Sequence, residues 1–133
     1  MGLVTDAVAD PSDAAAYFAA KLAYETDPAD VMADLRDGGK DFVLLDARAE
    51  AAYVAAHIPG AQSLPHANID EHTAAHFLPD KERLVVCYCW SVHCNAGDKA
   101  AAKLAALGYR VKLLVGGIQA WKAEGYKVEG THA

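Results

Sequence analysis

The chain has 133 residues, a net charge of −6, a charged share of 23% and a hydrophobic share of 53% that its many alanines inflate. That is enough apolar side chain for one core in one domain, and the acidic balance excludes nucleic acid and anionic membranes as main partners. Three cysteines do not make a disulfide framework, no apolar run approaches the ~20 residues of a membrane-spanning helix, and MGLVTDAVADPSD is not a signal peptide, so the expectation is a cytoplasmic protein.

Residues 1–10 read as a flexible arm and 11–130 as the single domain. Ser12 is the expected cap of a first helix over 13–23, with Ala16, Phe18, Ala19 and Leu22 on its buried side. Asp27-Pro28-Ala29-Asp30 writes a second helix start, with Asp27 as N-cap and Pro28 at the first position. This helix turns Val31, Met32 and Leu35 inward and stops at Gly38-Gly39. Phe42 to Asp46 is an apolar run too short for a helix, hence a buried strand. A short helix over 49–56 ends at His57-Ile58-Pro59-Gly60, where proline followed by glycine specifies a type II turn. Gln62 to Leu64 is a short strand and Ile69 to Phe77 a helix. Val111 to Val115 is a further strand, and Gly116-Gly117 turns the chain into a last helix holding Ile118 and Trp121 and ending near Gly125. This alternation predicts an α/β fold with a mostly parallel sheet and helices on both faces.

The stretch from Leu84 to Ala101, LVVCYCWSVHCNAGDKAA, organises the rest. Leu84 to Tyr88 is a strand buried on both faces, Trp90 to Cys94 a loop, and Asn95 the expected cap of a helix in which Asp98 reaches back. That helix closes at Gly108. Cys89 therefore ends a buried strand in a loop that feeds a helix N-terminus, the edge of an open sheet where ligands bind and anions are favoured. It is expected to be a thiolate, stabilised by converging N–H groups. Cys87, inside the strand, is expected to be core filler.

Four stretches in this order resemble the rhodanese (sulfurtransferase) family: FVLLDAR, HIPGAQSLP, VVCYC with its loop and alanine-rich helix, and LGYRVKLLVGGIQAWKAEGY. The resemblance implies a central, mostly parallel five-stranded sheet. It also implies that the cysteine ending the central strand, Cys89 by position, takes up a sulfane sulfur as a persulfide and passes it to a thiophilic acceptor. The nucleophile would work in a cradle of N–H groups from Trp90, Ser91, Val92, His93, Cys94 and Asn95, with Arg48 as a further substrate-binding candidate and no metal or organic cofactor. The implied partners are a small-molecule or protein persulfide donor and a thiol acceptor. Neither nucleic acid nor membrane is among them, and the oligomeric state stays open.

The loop departs from the family pattern, because Trp90 to Gly97 contains neither arginine nor lysine. Thiosulfate is then expected to be a poor donor, and neutral or larger persulfides better ones. Phosphatase and arsenate reductase readings weaken for the same reason, since arginine is the usual oxyanion clamp. Cys94 reads either as a small wall residue or as a resolving thiol, and a zinc site from Cys87, Cys89, His93 and Cys94 lacks the usual ligand spacing. Asp46 and Arg48 read as a salt bridge at the strand end, His57 as the tie of the Pro59-Gly60 turn, and His66, His72 and His76 as solvated. The alternative function is a catalytically weak rhodanese-like module that docks or regulates a protein partner.

Overall fold

The computed structural model describes residues 2–39 and 41–133. Its centre is a pair of strands, β2 (Phe42–Asp46) and β4 (Leu84–Tyr88), aligned in parallel from Phe42 opposite Leu84 to Asp46 opposite Tyr88. β5 (Val111–Leu114) lies on the far side of β4, β3 (Gln62–Ser63) flanks β2, and β1 (Glu25–Thr26) closes the other edge against β5. All five strands are parallel, in the order β1-β5-β4-β2-β3. β1 has no pattern of its own in the sequence, since a glutamate and a threonine carry no strand signal and only pairing with β5 makes them one.

Because side chains alternate across a strand, each central strand feeds two cores. Val85 and Cys87 of β4 join Leu45, Leu64, Ile69, Leu78, Ala100, Leu104 and Tyr109 on one face. Val86 and Tyr88 join Val31, Phe42, Leu44, Ile58, Leu114, Ile118 and Trp121 on the other. The first face is covered by α4 (Glu71–Phe77) and α5 (Ala96–Ala106), the second by α2 (Pro28–Arg36), α3 (Glu50–Ala55) and α6 (Gly117–Ala123). Odd-numbered positions of β4 thus look toward α5, and this parity decides where Cys89 points.

Local signals are met in detail. Asp27 caps α2 by accepting from the Asp30 N–H at 2.9 Å, and Asp70 and Thr73 close a reciprocal capping box on α4. The turn after α3 has Pro59 and Gly60 at its centre, Gly60 at φ +84° and the Ala61 N–H bonded to Ile58 O at 3.0 Å, as a type II turn requires.

Several expectations are corrected. The first helix, α1 (Pro11–Tyr24), follows Asp10 rather than Ser12, with proline in its first turn and no side-chain cap. None of its residues is buried: Phe18 and Leu22 are exposed, Leu22 at 72%. The helix rests on β5 and β1 at the sheet edge, where no second layer exists to cover Phe18 or Leu22. Residues 2–10 are exposed throughout. At α5, Asn95 holds the cap position without a side-chain hydrogen bond, and Asp98 makes no return bond. His57 does not bond the Pro59-Gly60 turn. It stacks on Tyr53, bonds Tyr53 O through Nδ1 at 2.8 Å, and pairs backbone to backbone with Glu129.

Candidate active site

Chain parity along β4 carries past its end and directs Cys89 toward the first turn of α5. Cys89 is buried, and its sulfur receives the backbone N–H groups of Gly97 and Trp90. Gly97 allows this approach: a Cβ there would sit 2.9 Å from Leu113 and 3.4 Å from the Tyr88 backbone, so α5 closes on the sheet only over a bare backbone. Behind the loop the α6 amides hold its carbonyls, Ile118 N–H to Cys89 O at 3.0 Å and Gln119 N–H to Trp90 O at 2.9 Å.

Cys94 lies beside Cys89. The Cys89 thiol donates to the Cys94 carbonyl oxygen at 3.3 Å, and the Cys94 side chain is near enough to perturb its titration. Cys94 in turn receives N–H groups from Ala96 and Trp90. Burial pushes the Cys89 thiol above its ordinary pKa, the Gly97 and Trp90 N–H groups offset this in part, and Cys94 raises it further. Cys94 is less buried, and the N–H groups of Ala96 and Trp90 with the Cys89 S–H outweigh its own burial and bring its thiol below the ordinary value. Of the two, Cys94 is therefore the more readily ionised thiol. The thiolate expected at Cys89 is disfavoured, because a strand-end sulfur sealed by α5 and α6 loses more to desolvation than two N–H groups return.

The N–H cradle differs from the expected run over Trp90 to Asn95. Its donors are Trp90, Ala96 and Gly97. The Cys94 N–H is used within the loop on Ser91 O at 3.1 Å and the His93 N–H on Ser91 Oγ at 3.2 Å, while Val92, His93 and Asn95 are exposed. Cys87 sits fully buried on the α5 face, where desolvation pushes its thiol up to about 12. Its role is core filler.

Cys89 and Cys94 open on a cavity of about 190 Å³ walled by Ser91, Val92 and the Val115–Gly117 turn. Its rim carries Asp98 and, from α1 and β1, Lys21 and Glu25, whose side chains pair at 2.5 Å. Lys21 is the cation that sequence reasoning missed. It lies nearly seventy positions from Cys89 on a helix whose inward face was expected to be apolar, and no motif marks it.

Arg48 is elsewhere. Its Nε and Nη2 grip both carboxylate oxygens of Asp46 at 2.7–3.2 Å, Nη2 also donates to Ala56 O at 2.6 Å, and Trp90 lies over the guanidinium at 4.4 Å. The Tyr88 hydroxyl donates to Asp46 Oδ2 at 2.8 Å and accepts from the Ile58 N–H at 3.1 Å, so a buried polar network ties β2, β4 and the turn after α3 together. Arg48 and Trp90 line a separate groove of about 500 Å³ with the alanines of α3, Ile118 and Lys122. Ser91 borders both spaces, but the larger one does not reach the Cys89 sulfur.

A parallel sheet covered on both faces, with a cysteine at the end of its central strand aimed into a helix N-terminus and a cavity, defines an α/β domain with a cysteine site at the C-terminal edge of its sheet. The chain belongs to the rhodanese-like domain family, whose model matches residues 27–124. It is 37% identical over 89 residues to the thiosulfate sulfurtransferase GlpE of Pseudoalteromonas translucida, covering 63% of this chain and 76% of that protein. The GlpE of Coxiella burnetii is 33% identical over 85 residues, with 63% and 75% covered. Among solved structures, the BH2092 protein of Bacillus halodurans superposes with a TM-score of 0.88 at 43% identity, over 92% of this chain and 88% of that one. A rhodanese-like domain from Anabaena gives a TM-score of 0.70 at 29% identity, over 81% and 80%. The family match begins after α1, so Lys21 lies outside it.

Proposed function

We propose that the protein is a sulfurtransferase that carries a sulfane sulfur as a persulfide on Cys89. The observation that carries this reading is the Cys89 sulfur itself, held by the Gly97 and Trp90 N–H groups and open to the 190 Å³ cavity. The names of the GlpE relatives support the same reaction class. The Cys89 thiolate attacks the outer sulfur of the donor. The donor's remaining fragment leaves with the electron pair of the broken S–S bond; from thiosulfate it leaves as sulfite. The N–H donors that hold the thiol sulfur then face the anionic persulfide.

Lys21 is the group on this cavity that meets an anionic donor. Its charge is shared with Glu25, so thiosulfate binds weakly and less highly charged persulfide donors bind better. Incubation with donor, rapid desalting and intact mass measurement test the reading. An adduct of about 32 Da that maps to Cys89 and disappears with cyanide is expected. Failure of every donor to load the protein would overturn it. The docking-module alternative has its own support in the exposed Trp90 and Val92 on the loop, and that same failure would favour it.

A further inference from the structure

Resting on that reading, we propose that Cys94 resolves the Cys89 persulfide within the loop, so that the domain reduces sulfane sulfur to sulfide with a dithiol as the final reductant. The geometry is that of a pair. The Cys89 thiol donates to the Cys94 carbonyl oxygen at 3.3 Å, and both cysteines line one cavity. Simple transfer needs one cysteine, and a wall residue would be as well served by alanine or serine. Cys87 shows what this fold does with a structural cysteine: it is sealed in the core and kept protonated.

The steps balance. Cys89 gives its proton to solvent and, as thiolate, takes the outer sulfur of thiosulfate, expelling sulfite. The Cys89 persulfide anion then takes the proton of the Cys94 thiol. The Cys94 thiolate attacks the inner sulfur, Cys89 Sγ. The Cys89–Cys94 bond forms as the bond to the outer sulfur breaks, and the outer sulfur leaves as HS⁻. One sulfane sulfur gains two electrons and two thiols lose them. A dithiol reductant attacks the disulfide at Cys94, the less buried sulfur, and an internal exchange returns both thiols. Attack on the inner rather than the outer sulfur follows from position, since the bond from the Cys89 thiol to the Cys94 carbonyl holds residue 94 beside Cys89 Sγ.

The test is a single turnover of the intact, reduced protein with one equivalent of thiosulfate and no added thiol. Samples are quenched with acid and an alkylating agent. Sulfide is measured, and intact and peptide masses are read. Wild type is expected to release close to one sulfide per chain and to show a Cys89–Cys94 cross-link that removes both alkylation sites. Cys94→Ser is expected to stop at the Cys89 persulfide and release at least about tenfold less sulfide. Cys94→Ala is read in parallel, so that a folding defect in one variant does not decide the outcome. A stable persulfide on wild-type Cys89 without sulfide release would overturn the proposal, and so would a persulfide mapped to Cys94, the signature of relay by attack on the outer sulfur. In both cases the sulfurtransferase reading would stand. If neither wild type nor the variants load, that reading falls and this inference falls with it.

Discussion

Gly117→Ala is the sharpest test of how Cys89 is held. Gly117 has φ +54°, and a Cβ placed on it would lie 2.2 Å from the Cys89 carbonyl oxygen, 2.7 Å from the Cys89 carbonyl carbon and 3.0 Å from that of Trp90. All three are backbone atoms, so no side chain can rotate out of the way. The left-handed conformation alone costs alanine roughly 1–2 kcal/mol. Relief of the contact separates α6 from the loop and weakens two hydrogen bonds, Ile118 N–H to Cys89 O and Gln119 N–H to Trp90 O. Each contributes about 1 kcal/mol net, which brings the loss to about 3–4 kcal/mol, a large part of a stability on the order of 5–15 kcal/mol. Gly125→Ala is the matched control, with φ +82° and nothing within 4 Å of its Cβ, so it should lose only the conformational part, about 1–2 kcal/mol. Urea unfolding of both variants measures the difference. Sulfur transfer to cyanide at saturating donor should fall at least about tenfold in Gly117→Ala, because the Trp90 N–H that serves both sulfurs moves with the loop. Equal stability losses in the two variants, or full turnover in Gly117→Ala, would refute the steric argument.

Cys89→Ala should abolish transfer from every donor, whereas Cys87→Ala should keep it and lose about 1 kcal/mol to a small cavity; steady-state rates and chemical unfolding separate the two. Lys21→Ala should raise KM for thiosulfate several-fold with little change in kcat, and Glu25→Gln should lower it, since the lysine charge is then unshared; opposite signs would remove Lys21 from donor binding. Tyr88→Phe leaves the buried Ile58 N–H and an Asp46 oxygen each short of a partner, so a loss of about 2–3 kcal/mol is expected in thermal unfolding; an unchanged midpoint would mean the network does not anchor the turn after α3. In a pH series of iodoacetamide labelling, Cys94 should react at lower pH than Cys89, because its thiol lies below the ordinary value and that of Cys89 above it. Removing Cys94 takes away a group that raises the Cys89 pKa, so the Cys89 labelling midpoint should move to lower pH in Cys94→Ser, and movement the other way would contradict the pairing.

Most of the fold was legible because its signals are local. Asp27-Pro28 starts α2, Pro59-Gly60 makes its turn, and the apolar runs of β2 and β4 are buried strands. β1 and the surroundings of α1 were not, because both depend on partners far along the chain. Glu25 and Thr26 become a strand only beside Leu113 and Leu114, and α1 looks amphipathic although the sheet edge offers its apolar side chains no cover. The same holds for Lys21, whose place on the cavity rim follows from where α1 crosses β5 and not from its neighbours in sequence.

At the site, the place of the sulfur is legible in the sequence and its ionisation is not. The position of Cys89 follows from strand parity and from the turn that must come after Tyr88, and both are written locally. Its ionisation depends on what closes over it: α5 through the bare backbone of Gly97, and α6 through Gly117 with the Ile118 and Gln119 amides. These contacts hold the loop still and dry it, and drying raises the thiol's pKa by more than the N–H groups lower it. An arginine in the loop would counter that with charge, but the run from Trp90 to Gly97 has none. Here a second thiol stands beside it instead, less buried and more readily ionised than Cys89. A loop that carries a thiol in place of an arginine exchanges a fixed positive charge for a group that can be oxidised. On the two proposals made for this site, weak binding of dianionic donors follows from the missing arginine, and resolution of the persulfide follows from the residue at position 94.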